Sequence, residues 1–170
     1  MNTMRDIRIE KVTMNIGAGK DPALLDKGVA LIKNITGIPP VKTFTNKRIP
    51  SWGLRPGLAI GCKLTLRRDK AVDILKRTLE AQGRKLSEKN FDDQGNVAFG
   101  IPEYIDIPGA KYDPAIGIMG LQVCVTLSRP GFRVKRRSYR SSRIPKKHRI
   151  SRQESIDFMR KKFDIIMEEE

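Results

Sequence analysis

Two glycines, Gly17 and Gly19, precede Lys20 between an apolar alternating run and a helix start, the arrangement in this chain closest to phosphate chemistry. A nucleotide-hydrolysing loop of the GxxxxGK type needs Ser or Thr after the lysine, so that the hydroxyl can bind magnesium. Here the spacing differs and Asp21 follows the lysine, setting a carboxylate where phosphate would lie. The segment therefore reads as a tight strand-to-helix turn, whose backbone amides could still meet a nucleic-acid phosphate. Other reactive types are sparse. His148 is the one imidazole, and it lies in a cationic run without a placed nucleophile or acid. Asp92 and Asp93 belong to Asp-Asp-Gln-Gly-Asn, which is turn chemistry. Cys62 and Cys124 show neither CxxC nor zinc-ligand spacing. Both sit in apolar alternating runs and read as small core or near-core residues of a reducing, intracellular protein. No catalytic set, metal site or cofactor is expected, and the chain reads as a non-enzyme.

What remains is chemistry of binding. From residue 58 to 67 the sequence alternates, with Leu58, Ile60, Cys62, Leu64 and Leu66 on one side of an extended chain. Lys63, Thr65 and Arg67 fall on the other side with the small Ala59 and Gly61. An earlier run alternates likewise, so that Thr13 and Asn15 oppose Val12, Met14 and Ile16. Hydroxyls, an amide and two cations on a low-profile sheet face suit the shallow groove of RNA, read through shape, phosphates and 2′-hydroxyls. A merely solvated face is the alternative that alternation leaves open. Before residue 58, Pro50 and Pro56 cannot donate to a ladder. Residues 47–57 thus form a long exposed loop bearing Lys47, Arg48, Trp52 and Arg55. Trp52 could stack on a base or fold back as a local cover.

Charge points the same way. Lys and Arg total 34 against 19 Asp and Glu, a net +15. From Arg129 to Gln153 there are eleven basic residues and no acid, leaving 23 against 19 elsewhere. A polyanionic partner is expected, because neutralised phosphates release condensed counterions. The candidate contacts in this run are Arg133, Lys135, Arg136, Arg137 and Arg140, followed by Arg143, Lys146, Lys147 and Arg149. A solvated basic tail and a membrane-surface patch are the other readings of such a run, but it leads straight into a capped helix. Mean hydropathy of −0.42 describes a soluble protein. No run approaches the length of a membrane span, and the N-terminal MNTMRDIRIE lacks the apolar core of a secretory signal.

The elements that must position these residues follow from periodicity. Residues 7–16 form a strand with a bulge near Glu10 and Lys11, where the apolar phase changes. Asp21 caps a helix with Pro22 in its first turn and Leu24, Gly28, Leu31, Ile32 and Ile35 along one stripe. Gly37 and Pro39-Pro40 stop it. Residues 41–46 form a second strand. Asp69 caps a second helix, with Ala71, Ile74, Leu75, Thr78 and Leu79 inward and Gly83 at its end. Extended pieces are expected at 97–101 and 103–107, and a strand at 121–127 with Leu121, Val123, Val125 and Leu127 inward. The basic run alone cannot bury enough surface to offset chain entropy. Ser151 and Glu154 then make a capping box for a last helix with Ile156, Met159, Phe163 and Ile166 inward, frayed at Glu168 to Glu170. The expected fold is an α+β two-layer sandwich, a mostly antiparallel sheet with helices on one face. It has a long β–β loop and two parts, an RNA-binding domain of residues 1–128 and a basic extension, 129–170, whose helix docks on that domain.

Three stretches carry a resemblance that covers almost the whole chain. MNIGAGKD, then ITGIPPVKTFTNKRIPSWGLRPGLAIGCKLTLRRDKAVDIL, and later GNVAFGIPEYIDIPGAKYDPAIGIMGLQVCVTL resemble large-subunit ribosomal protein five, the L-five family. The basic run and capped C-terminal helix are similar to its archaeal and eukaryotic type. The resemblance implies a non-enzymatic ribosomal protein that binds 5S rRNA in the central protuberance, with large-subunit rRNA and the neighbouring proteins as partners. It places Asn15 and Thr65 at the 5S rRNA contact. It implies that the 47–57 loop, with Arg55 in its RxG pattern, reaches the P-site tRNA and a protein of the small-subunit head. The residues alone leave open a free-standing RNA chaperone or DNA-binding protein, which would bind many duplexes equally and not co-sediment with large subunits.

Overall fold

In the computed structural model, residues 2–168 are described. In chain order the elements are β1 (Arg8–Gly17), α1 (Pro22–Thr36), β2 (Val41–Phe44), β3 (Ala59–Leu66) and α2 (Arg68–Ala81). Then come β4 (Lys85–Ser87), β5 (Asn96–Ile101), β6 (Leu121–Ser128), α3 (Arg152–Phe163) and β7 (Ile166–Glu168). Five strands form one antiparallel sheet in the order β2-β3-β1-β6-β5. Helices α1 and α2 pack on one face of it against β1 and β3. Val12, Met14 and Ile16 of β1 and Cys62, Leu64 and Leu66 of β3 are buried beneath them. Full burial of such side chains is worth roughly 1.5–3 kcal/mol each, so the helix-covered face supplies the driving force for folding. The opposite face is thereby released from packing duty.

Local chemistry explains the boundaries. The register of β1 against β6 shifts between Ile9 and Lys11, the bulge that the phase change required. Asp21 Oδ1 accepts from the amides of Ala23 at 2.9 Å and Leu24 at 3.5 Å, and Gly37 ends α1 in the left-handed region with φ 71°. The buried stripe of α1 is Leu25, Gly28, Leu31, Ile32 and Ile35. Leu24, expected inward, is exposed, because Leu25 is the residue that keeps the three-and-four spacing with Gly28 and Ile32. A Cβ at Gly28 would lie 3.2 Å from Ile16 Cγ2 and 3.3 Å from Cys62 Sγ, so glycine lets the helix lie close on the sheet.

Helix α2 buries the five residues expected, but it begins at Arg68, so Asp69 is not its cap. That carboxylate sits within the first turn, where it meets the positive end of the helix dipole. The helix closes through Gly83, with Arg84 N–H donating to Leu79 O at 2.8 Å. Strand β2 stops at Phe44 rather than residue 46, after a bulge between Thr43 and Phe44.

Residues 103–107 are not extended. Tyr104–Asp106 is one 3-10 turn, and the buried Tyr104 hydroxyl accepts from the Asp113 amide at 2.9 Å. Burying that ring with its polar tip satisfied favours the turn over an extended piece.

The chain end departs further from the alternation and stripe. The capping box at Ser151 and Glu154 is present, and Ile156, Met159 and Phe163 are buried. Asp164 then turns left-handed (φ 52°), Ile165 takes the buried place, and Ile166 is 60% exposed. Residues 166–168 instead form β7, parallel to β4, a pair of three-residue strands without a sequence signal of its own. Glu168 therefore lies in a strand rather than in a fraying last turn, and Glu169 and Glu170 lie outside the described residues. One buried cluster joins Val12 of the sheet to Ile150, Met159 and Ile165 of the segment after residue 128.

Candidate nucleic-acid interface

The uncovered sheet face is built in rows by strand register. Thr65, Thr13, Cys124 and Ala98 lie side by side across β3, β1, β6 and β5. The next row holds Lys63, Asn15, Gln122 and Gly100. Beyond it come Gly61 and Gly17, and on the other side Lys11, Thr126 and Asn96. Glycine at 61 is required by close approach, since a Cβ there would stand 2.6 Å from the Ile16 carbonyl oxygen. The result is a flat platform with hydroxyls, amides and cations at its centre and little bulk. Asn15 Nδ2 donates to Gln122 Oε1 at 3.4 Å, which orients the two amides loosely and leaves the Asn15 oxygen and the Gln122 amide for a partner. The hydroxyls of Thr13 and Thr65 and the ammonium of Lys63 have no hydrogen-bond partner among the described residues.

Arg67 closes the row at the end of β3, with Nη1 3.6 Å from Glu10 Oε1 and donating to the Glu10 carbonyl at 3.5 Å. Arg136 of the basic extension pairs with the same Glu10 carboxylate, whose side chain is only 14% exposed. One carboxylate thus joins the sheet face to the extension. Glu10, Lys11, Gln122 and Asn96 were not among the residues singled out from sequence. For Gln122 the signal was there, because the alternation that buries Leu121 and Val123 must expose it. The same phase corrects the reading of Cys124, which is exposed in the middle of the open face and not near the core. Cys62 is buried, and burial pushes its thiol pKa up against the opposing charge of Lys42.

The loop after β2 is more ordered than a run of prolines and glycines suggests. Thr45 N–H donates to Leu58 O and Gly57 N–H to Thr45 O, both at 2.9 Å, so the hairpin continues past the strands. Ile49 and Leu54 then bridge each other around a 3-10 turn, Pro50–Trp52, with Gly53 at φ 67°. Leu54 is buried, whereas Lys47, Arg48 and Arg55 are exposed and Trp52 is 68% exposed. The indole stands outward and does not cover the loop.

The basic run is folded against the sheet. Arg129, not singled out from sequence, is its anchor: 5% exposed, it donates from Nε to Arg5 O at 3.1 Å, from Nη1 to Arg149 O at 3.0 Å and from Nη2 to Glu154 Oε1 at 2.7 Å. Burial works against the Glu154 carboxylate, but bonds from the Ser151 amide and from Arg129 outweigh it and hold its pKa below the ordinary value. Ile150 is buried against Gly95, where a Cβ would come within 2.6 Å of its Cγ2. His148 Nε2 lies 2.9 Å from Pro130 O and its ring edge meets Phe132, so the lone imidazole holds a turn together. Arg133, Lys135, Arg136, Arg137 and Arg140 all face solvent, as do Arg143, Lys146, Lys147 and Arg149.

Residues 2–55 match the family model described as ribosomal protein L5, and residues 59–158 match the model of the C-terminus of that same ribosomal family. The chain belongs to the ribosomal L5 family. It is 45% identical over 170 residues to the large ribosomal subunit protein uL5 of Sulfurisphaera tokodaii, covering 99% of this chain and 96% of that one. It is 48% identical over 163 residues to the large ribosomal subunit protein uL5 of Nanoarchaeum equitans, covering 95% and 96%. The L5 family comprises ribosomal structural proteins of the large subunit and is not an enzyme family. The two matched L5 segments meet within the hairpin loop, so the open face is assembled from both, β1 from the first and β3, β5 and β6 from the second.

Proposed function

We propose that this L5-family chain works in the cytoplasm, within the large ribosomal subunit, where its open sheet face binds 5S rRNA in the central protuberance. Thr13, Asn15 and Thr65 give short polar contacts to 2′-hydroxyls and phosphates, and Lys63 and Arg67 give charge on the same side. The observation that carries the reading is a low-relief sheet face on which the Thr13 and Thr65 hydroxyls and the Lys63 ammonium have no partner among the described residues, while the opposite face is packed by helices. The wide, shallow minor groove of RNA is recognised by shape and by contacts to 2′-hydroxyls and phosphates, which such a surface can make. Residues 1–128 are the RNA-binding domain. Residues 129–170 are an extension docked on it, and its solvent-facing cations contact large-subunit rRNA or tRNA. The loop at 47–57 reaches the P-site tRNA and a protein of the small-subunit head, and proteins of the central protuberance complete the neighbourhood.

Footprinting 5S rRNA with the purified chain tests the central statement. The affinity is expected to fall with salt at a log–log slope of about 0.7–0.9 per phosphate contact. A flat titration contradicts a phosphate-dominated interface. The loop has its own test, because Arg48, Trp52 and Arg55 are exposed and their loss costs no packing. Replacing all three by alanine is expected to leave 5S rRNA affinity within about twofold and to weaken tRNA retention on assembled ribosomes by about tenfold, the scale of one lost base–aromatic stack. Loss of 5S rRNA binding in that variant overturns this division of labour.

A further inference from the structure

Where the basic extension folds back over the far end of the sheet it encloses a cleft of about 800 Å³. That lies within the roughly 300–1,000 Å³ of small-ligand sites. The floor is apolar. Leu127 and Ile150 underlie it and are buried, so the accessible apolar surface of the floor comes from the half-buried Phe132 and Ile144. The rim is cationic, with Lys11 from β1 and Lys135, Arg136, Arg143 and Arg149 from the extension. Glu10 is the one carboxylate on the wall, and it is matched by Arg136 and Arg67. Between floor and rim stand Gln94, Asn96 and Thr126. The Asn96 amide donates to Asp92 Oδ2 at 2.6 Å, which fixes the side chain with its oxygen free to accept.

We propose that this cleft receives one extrahelical RNA nucleotide, its base against Phe132 and Ile144 and its phosphates on the cationic rim. The inference rests on the chain being an RNA-binding protein and adds a second, separate pocket for that RNA. A duplex backbone lying over the extension touches the rim alone and leaves the apolar floor wet. A base swung out of its helix covers that floor, because unstacked bases are recognised by stacking on aromatic rings and by hydrogen bonds to their edges. Gln94, Asn96 and Thr126 are the groups placed to meet such an edge. The pocket's own position favours a nucleotide within a chain over a free one. Through Glu10, its Arg136 shares a carboxylate with Arg67 of the open face, so the cleft adjoins the platform and one strand can engage both.

The test uses the full chain and two short RNA duplexes of equal length, one fully paired and one with a single bulged nucleotide. The bulged duplex is expected to bind about tenfold more tightly near physiological salt, as one base–aromatic stack provides. Phe132→Leu keeps an apolar side chain against the core and removes the ring. It is expected to reduce the preference to less than about twofold while affinity for the paired duplex holds and the melting temperature falls by no more than about 4 °C. Phe132→Tyr is expected to retain the preference. Equal binding of the two duplexes by the parent chain overturns the proposal, as does a preference that survives Phe132→Leu. A nucleoside monophosphate that competes as well as the bulged duplex overturns the assignment to a nucleotide within a chain. Footprints on the open face separate the two readings. Protection there without any bulge preference sinks the cleft alone, and a ring-dependent preference with a bare open face sinks the 5S rRNA assignment alone.

Discussion

Asn15→Ala combined with Thr65→Ala is expected to weaken 5S rRNA binding by about tenfold to a hundredfold with little change in thermal stability. The magnitude comes from two lost hydrogen bonds at roughly 0.7–1.4 kcal/mol each, where about 1.4 kcal/mol is a factor of ten. Stability is spared because neither side chain touches the core. Thr65 is exposed, and among the described residues the Asn15 side chain makes one hydrogen bond, the long one to Gln122. Loss of a β-branched residue from β3 costs up to about 1 kcal/mol, which moves the midpoint of a chain this size by no more than about 4 °C. Filter binding beside calorimetric melting separates the two effects. Unaltered affinity places the RNA elsewhere on the molecule, and a midpoint that falls by ten degrees assigns the loss to folding.

The same division between faces explains what could be seen in the sequence. Strands β1, β3, β5 and β6 were visible because a packed face demands apolar residues at every second position. The edge strand β2, with Val41 and Phe44 exposed, showed only by its β-branched and aromatic types, and the pairing order did not show. Val12, Met14 and Ile16 could be nothing else. The bulge showed because Ile9 and Val12 are out of phase, a discontinuity that one extra residue repairs. Helix α1 was legible from Asp21, Pro22 and Gly37, whose preferences are local. What failed was set by longer-range choices. Leu24 and Leu25 are equally apolar neighbours, and only docking decides which turns inward. Strands β4 and β7 are three residues each and exist because the chain end returns beside residue 85, a contact between distant segments that no period announces.

The candidate interface divides in the same way. Thr13, Asn15, Lys63, Thr65 and Arg67 fell onto one face by alternation, and register then added Gln122 and Cys124 from a strand already identified. Cys124 was misplaced for a simple reason: cysteine is so often buried that its type argued against its phase. Glu10 was invisible as a functional residue because its partners, Arg67 and Arg136, come from segments far apart in sequence. The extension illustrates the limit of composition. A run of Arg and Ser with few apolar residues reads as unable to fold, yet Phe132, Ile144 and Ile150 are apolar residues enough when one arginine turns inward.

That arginine carries the largest expected effect on stability. Arg129→Met keeps the volume of the side chain and removes its donors, so the carbonyls of Arg5, His148 and Arg149 and the carboxylate of Glu154 lose a shared partner. Three part-buried hydrogen bonds at about 1 kcal/mol each give a loss of about 3 kcal/mol, or roughly 6–12 °C in the midpoint. Arg129→Lys is expected to recover only part of it, because an ammonium cannot serve partners on several sides as the planar fork does. The Glu154 side chain is 44% exposed, so its ion pair is screened and the carbonyl bonds dominate. Its share is still recognisable by pH. Since the folded chain holds the Glu154 pKa below its ordinary value, the stability it contributes is present above that value and is lost as pH falls through the depressed one. The gap between the parent chain and Arg129→Met is therefore expected to narrow in acid without closing, whereas a gap constant from neutral pH to pH of about 3 removes Glu154 from the account. Limited proteolysis supplies the structural readout. Release of the anchor is expected to expose residues 133–149 to trypsin well below the melting temperature, and a variant cut no faster than the parent shows that the extension is held by its apolar floor and not by Arg129.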